Sequence, residues 1–442
     1  MSANRPIQII VNPAAGNHKG PEFVNSHVIP ILNHFDLSFE LHTTIAPGHA
    51  GELGRQILAQ QESQEIITCI IVGGDGTTHE LIESVMAISS NNNTKRMVKW
   101  EIIILPFGTA NALYHSLYPP GTPNPNTSFL SSLPDSVTDE VISNILPLHA
   151  YLTKSGKVVP LPITFTTHSS SCKSITSHIV LSTALHAVIL DSSEALRESH
   201  PGPERFKIAA QENISMFFNA TARLFGSLKQ KEEGLDVEQW DPRTEKWTRP
   251  YTAEKEIEVD GVKGWELEGP FSYFLSTSTV DRLEPTFVIS PHTSLRASSL
   301  GSPAAYIYLV VLRPLRDPLV ASASDPEKSQ LWAKRAMEVL SQAYHEGQHI
   351  SLTYPHSSTT TSQESTMAEK RGNGPPVIEY FRLGFFEWIP NSSTSNTSGS
   401  SGSEEKTRLI CADGAIHRLQ KGEKAKVHVR VPDEGNLFHV WI

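Results

Sequence analysis

Cysteine is scarce in this 442-residue chain. Cys69, Cys172 and Cys411 are far apart and form no metal-type spacing. Long apolar runs are missing too. None approaches the roughly 18 to 20 residues that cross a bilayer, so no transmembrane span is expected. No basic stretch followed by an apolar run opens the chain, so no secretory signal is expected, and cytoplasmic placement is the default. Positive charge is in deficit. The formal net charge of −10 argues against a nucleic-acid binder that relies on bulk charge. What remains is 38% hydrophobic and 19% charged, the balance of a folded soluble protein long enough for two or three domains.

The first third alternates strand-like and helix-like segments. "IQIIVNPAAG" reads as an apolar strand ending in a turn. "PGHAGELGRQILAQQ" (47–61) reads as a helix with Leu53, Ile57 and Leu58 inward. Ile66 to Val72 is a strand buried on both faces, and Thr77 to Met86 a helix. "WEIIILPFGTANALYHSL" (100–117) repeats strand, glycine turn and helix. This pattern predicts an α/β domain with a doubly wound parallel sheet over residues 1–143. The turns after the strands then gather at the C-terminal edge of the sheet, where such folds bind ligands.

Beyond a proline- and serine-rich stretch (118–136), residues 144–442 read as a β-rich antiparallel sandwich. "SHIVLSTALHAVIL" and "AYIYLVVL" are among its expected strands. One helix interrupts it, with Asp325 as cap and Pro326 in the first turn. Two polar stretches near 356–374 and 391–406 read as disordered insertions. The last strands belong either to this half or back on the first domain.

"IIVGGDGTTHELIES" carries the chemistry. Gly73, Gly74 and Gly76 remove side chains that would keep a ligand from the backbone, and a helix begins just after them. The result reads as a phosphate cradle with a carboxylate, Asp75, inside it. A carboxylate beside phosphates is repulsive unless a metal ion or a transferable proton lies between them. A tight turn alone would also use these residues. However, "LPFGTAN" repeats the design with Gly108, Thr109 and Asn111, and "NPAAGNHKG" adds Asn12, Gly16 and Lys19. Neither a Walker motif nor a GxGxxG fingerprint is present.

"NPAAG", "PGHAGELGR", "VGGDGTTHELIESV" and "LPFGTANAL", in this order, resemble the catalytic domain shared by diacylglycerol, ceramide and sphingosine kinases. Later segments resemble the sphingosine (long-chain base) kinases in particular: "DSSEALRESHPGPERF", "MEVLSQAYHEGQHISLTYP", "ICADGAIHRL" and "KAKVHVRVPDEGNLFHVWI". The resemblance implies ATP and Mg²⁺ on the first domain and a lipid in the second, drawn from a membrane surface by a peripheral protein on an intracellular membrane. It implies that Asp75 is the general base or a magnesium ligand. It assigns Asn12, Gly16, Gly73, Gly74, Gly76, Thr77, Gly108, Thr109, Asn111, Arg197, Arg205 and Asp413 to the nucleotide, with Asp413 also near magnesium. Glu80 and Asp191 are its candidates for substrate contact.

The lipid half departs from the pattern. The family's Asp-x-Asp pair, one acid of which binds the lipid's amine and hydroxyl, falls on Val188 and Leu190, with Asp191 one position off. A family glycine falls on Ala184, and Ala415 stands where a carboxylate is expected. The leading expectation is a sphingoid-base kinase. A diacylglycerol or ceramide kinase, an NAD kinase, and a catalytically silent lipid- or nucleotide-binding regulator are the alternatives.

Overall fold

The computed structural model describes residues 5–61, 64–91, 98–125, 138–168, 174–200, 202, 204–226, 236–295, 306–355, 369–391, 401–430 and 437–442. The expected parallel sheet is present. Its first four strands are β1 (Ile7–Val11), β2 (Phe39–Thr43), β3 (Ile66–Gly73) and β4 (Lys99–Pro106), in the order β2-β1-β3-β4, all parallel. The C-terminal strand Phe438–Trp441 continues the sheet parallel to β4, and Val158–Pro160 closes the edge antiparallel. The sheet therefore draws two strands from beyond residue 143.

Alternation along β3 explains why helices cover both faces. Cys69 and Ile71 point to one side, against Leu53, Ile57, Leu81 and Val85 of the helices His49–Gln60 and Asp75–Asn91. Ile70 and Val72 point to the other, against Phe23, Val28, Ile31 and Leu32. Each such fully buried aliphatic side chain contributes about 1.5–3 kcal/mol. The second helix begins at Asp75, not Thr77, so the carboxylate stands in its first turn.

The second half is built on two antiparallel sheets. One has eight strands and includes Leu181–Thr183, Tyr273–Thr277, Leu409–Ala412 and Ala415–Arg418. The other has seven and includes Ile163–His168, Ile175–Ser177, Ala220–Phe225 and Phe385–Pro390. Phe274 of the first meets Phe386 and Trp388 of the second at ring-centroid distances of 5.4 and 4.8 Å, which makes the pair a sandwich.

Several expectations needed revision. "SHIVLSTALHAVIL" is only partly strand, because Ala184 starts a helix that runs to Ala195. A continuous apolar run has no period to separate buried strand from buried helix. The later helix is capped by Ser324, which forms a capping box with Glu327, and Asp325 is its first residue. The stretch expected to be disordered near 391–406 ends in a helix, Ser401–Thr407, tied down by Ser403 Oγ on the Phe217 carbonyl. Strand Glu369–Lys370 lies within the other such stretch. Residues 126–137, 356–368 and 392–400 of these expectations lie outside the described residues.

Candidate functional site

Three glycine turns meet at the C-terminal edge of the parallel sheet. A Cβ on Gly108 would stand 2.3 Å from the Gly74 Cα, and one on Gly74 would stand 2.8 Å from the Gly108 Cα. Gly16, at φ +54°, approaches the same place: a Cβ there would lie 2.5 Å from the Phe107 carbonyl oxygen. Strands β1, β3 and β4 are neighbours, so the turns that follow them are forced together. Gly76 has open space where a Cβ would stand, and Thr109, on the turn after β4, is exposed.

Polar side chains fix the shape of this rim. Asn12 donates from Nδ2 to Thr77 Oγ1 at 2.9 Å and accepts the Ala14 N–H at 3.0 Å. Asn111, left-handed at φ 53°, accepts the Gly108 N–H at 2.8 Å and donates to the carbonyls of Pro106 and Gly108. Its amide is therefore committed to its own turn, where the sequence suggested a direct nucleotide contact.

Asp75 faces this rim, half-buried. Its Oδ2 accepts the Ala112 N–H at 2.8 Å and its Oδ1 accepts the Leu113 N–H at 3.2 Å. Burial pushes its carboxyl above the ordinary carboxylate range, and Asp413 adds to this, against the pull of the two N–H groups and His178. Each oxygen accepts one described N–H, so each retains a lone pair for a proton or a cation.

Asp413 sits differently. It lies in a left-handed turn, φ 50°, with its side chain fully buried. Oδ1 accepts the N–H groups of Ile179 and Val180, both at 2.9 Å. Oδ2 accepts the His178 N–H at 2.8 Å and pairs with His79 Nδ1 at 3.0 Å. Burial opposes its charge, yet His178 and His79 hold its carboxyl far below the usual range. His178 Nδ1 also lies 2.7 Å from Oδ2. Four hydrogen-bond donors already fill about four lone-pair sites. In this arrangement protein groups take up the Asp413 oxygens, where the sequence suggests a contact with magnesium and nucleotide. Of the two acids assigned to magnesium, Asp75 alone fits. It is a single carboxylate beside the glycine turns, and Mg²⁺ is usually held by one or two carboxylates together with substrate oxygens.

The remaining candidates are dispersed. Glu80 Oε2 accepts the Ala50 N–H at 3.3 Å, which makes it a cap for the His49–Gln60 helix. Arg197 is exposed and forks onto Glu194 at 2.6 and 2.7 Å, the ion pair that a surface reading anticipates. Arg205 is nearly buried on the Glu204–Asn213 helix, 4.6 Å over the Phe206 ring. Asp191 is half-exposed on Ala184–Ala195, whereas Val188 is in the core and Leu190 packs against it. Two further residues, His79 and His178, join the site though no sequence motif marks them. Their one sequence signal is the four-residue spacing of Asp75 and His79, which places both on one helix face.

Residues 6–139 match the family model described as the diacylglycerol kinase catalytic domain. The chain is 31% identical over 115 residues to sphingosine kinase 1 of Homo sapiens, covering 26% of this chain and 28% of that protein. It is 28% identical over 118 residues to the mitochondrial acylglycerol kinase of Xenopus laevis, covering 27% and 26%. A diacylglycerol kinase structure from Bacillus anthracis str. Sterne aligns over 98% of this chain and 96% of its own, with 11% identity and a TM-score of 0.45. The chain thus spans little more than a quarter of the length of these curated relatives. Residues 6–139 are thus similar to a diacylglycerol kinase catalytic domain.

Proposed function

We propose that the protein is an ATP-dependent lipid kinase that transfers the terminal phosphoryl group to a lipid hydroxyl. The observation that carries this reading is the contact of three glycine turns beside one half-buried carboxylate. Backbone at Gly16, Gly73, Gly74, Gly76 and Gly108 would cradle the phosphates, with Thr77 and Thr109 alongside. Asp75 would take the proton from the attacking alcohol. Its elevated pKa suits a general base, and positioned bases typically add about 10²–10⁴-fold. The N–H groups of Ala112 and Leu113 hold its oxygens in place, so the alcohol is met in a fixed geometry. Magnesium bound with ATP would supply neutralisation of phosphate charge, and Asp75 is the residue here that fits it.

Within that class, a sphingoid base is the leading substrate, supported by the sphingosine kinase relatives. A neutral lipid alcohol, such as diacylglycerol or ceramide, is the second reading. It is favoured by the apolar placement of Val188 and Leu190, because a buried amine without a carboxylate partner is unfavourable. Among the described residues no helix is long and apolar enough to cross a membrane. The lipid substrate would be met by peripheral contact with an intracellular membrane from the cytoplasm, a placement that rests on the kinase reading. A kinase assay with Mg²⁺-ATP against sphingoid bases, ceramide, acylglycerols and NAD decides the substrate. Absence of transfer to every acceptor would leave the silent regulator.

A further inference from the structure

The chain 178–180 is buried and irregular, leads into the strand at Leu181, and has most of its backbone satisfied by side chains. The N–H groups of His178, Ile179 and Val180 all donate to Asp413. The carbonyls of His178, Ile179 and Leu181 accept from the hydroxyls of Thr279, Thr277 and Ser276. The Val180 carbonyl accepts the Asp413 N–H at 3.0 Å. A buried backbone without a ladder must find such partners or lose stability. Here the three N–H groups converge on a single carboxylate.

That carboxylate also reaches the catalytic domain. Asp413 Oδ2 and His79 Nδ1 lie 3.0 Å apart across 334 residues of sequence. His79 is one turn beyond Asp75 on the same helix, and its ring stacks with that of His178 at 6.3 Å, 20° between planes. Asp75, one turn before His79, accepts the N–H groups of Ala112 and Leu113 of its own domain.

We propose that Asp413, through His79, is a positioning device: it fixes the helix that carries Asp75 against the β-rich half, and so sets the distance between base and lipid hydroxyl. This role rests on the kinase reading above. The donor atoms of His79, His178 and Asp413 lie within 4.8 Å of one another, which on distance alone would suit a transition metal. Four donors already occupy the Asp413 oxygens, so the cluster acts as a hydrogen-bonded fastening.

The test compares full-length wild type with His79→Ala, His79→Gln and Asp413→Asn. In His79→Ala, kcat should fall about 10²-fold, the cost of a misplacement near 1 Å. KM for ATP and directly measured ATP affinity should stay within twofold, because the glycine turns do not touch the fastening. His79→Gln restores a donor and should recover most of kcat. Hydrogen exchange at residues 75–79 and 178–180 should rise together in His79→Ala and Asp413→Asn. Unchanged kcat in folded His79→Ala, or loss of ATP affinity in step with kcat, overturns the positioning role. Stoichiometric zinc in the purified wild type overturns the hydrogen-bonded assignment. A wild type inactive on every lipid sinks the kinase reading instead, and exchange still reads the fastening: independent exchange of the two segments would refute it.

Discussion

Gly74 and Gly108 stand so close that a methyl group on Gly108 would lie 2.3 Å from the Gly74 Cα. The two residues follow neighbouring parallel strands, and neither has a side chain to separate the turns. This contact makes one surface out of two motifs 34 positions apart in sequence.

Gly108→Ala should therefore damage both fold and nucleotide binding. Backbone on the far side cannot yield as a flexible side chain would. Overpacking of this kind typically costs about 1–3 kcal/mol. Thermal unfolding and ATP titration of the same preparation measure the two effects. Gly76→Ala, with open space around it, should leave the melting temperature nearly unchanged and report on the nucleotide alone.

Asp75→Asn should lower turnover by about 10²–10⁴-fold, as expected for loss of a positioned base. The fold should persist, checked by circular dichroism. A folded variant with wild-type turnover would remove Asp75 from the chemistry.

The same residue gives a pH dependence. Asp75 must be ionised to accept a proton, and burial raises its pKa. Turnover should fall as pH drops through a value above the ordinary carboxylate pKa of about 3.9. For stability the sign is opposite. A carboxyl with a raised folded pKa favours the fold below its unfolded pKa, and that contribution is lost as pH rises through the folded value. A kcat–pH profile and unfolding at matched pH values separate the two.

His79 adds a second pH signature. Burial opposes its charge, but Asp413 outweighs burial and the net pKa is raised. The imidazolium thus contributes stability that is fully present below about pH 6.5 and lost as pH rises through its folded pKa. The stability gap between wild type and His79→Ala should be wider at pH 6 than at pH 9, as read by denaturant midpoints. An equal gap at both would mean that His79 is not charged.

Arg197→Ala discriminates between surface pair and phosphate arm. An exposed Arg–Glu pair contributes about 0–1 kcal/mol, so stability should barely move. A several-fold rise in KM for ATP would show that the side chain leaves Glu194 for the phosphates when nucleotide binds. No change would leave it a surface ion pair.

By itself the sequence determined the parallel α/β sheet, the three glycine turns at its rim and the carboxylate among them. Those features are local: apolar runs of strand length, glycine where side chains cannot fit, and helix starts just after. Tertiary structure decided the roles of Asp413, Glu80 and Asn111. Each was read as ligand-facing from its motif, and each is committed to holding backbone: Asp413 at 178–180, Glu80 at Ala50, Asn111 in its own turn. Those partners lie up to 235 residues apart, and His79 lies 334 from Asp413; no period or spacing in the chain encodes which way a side chain turns once the two halves pack.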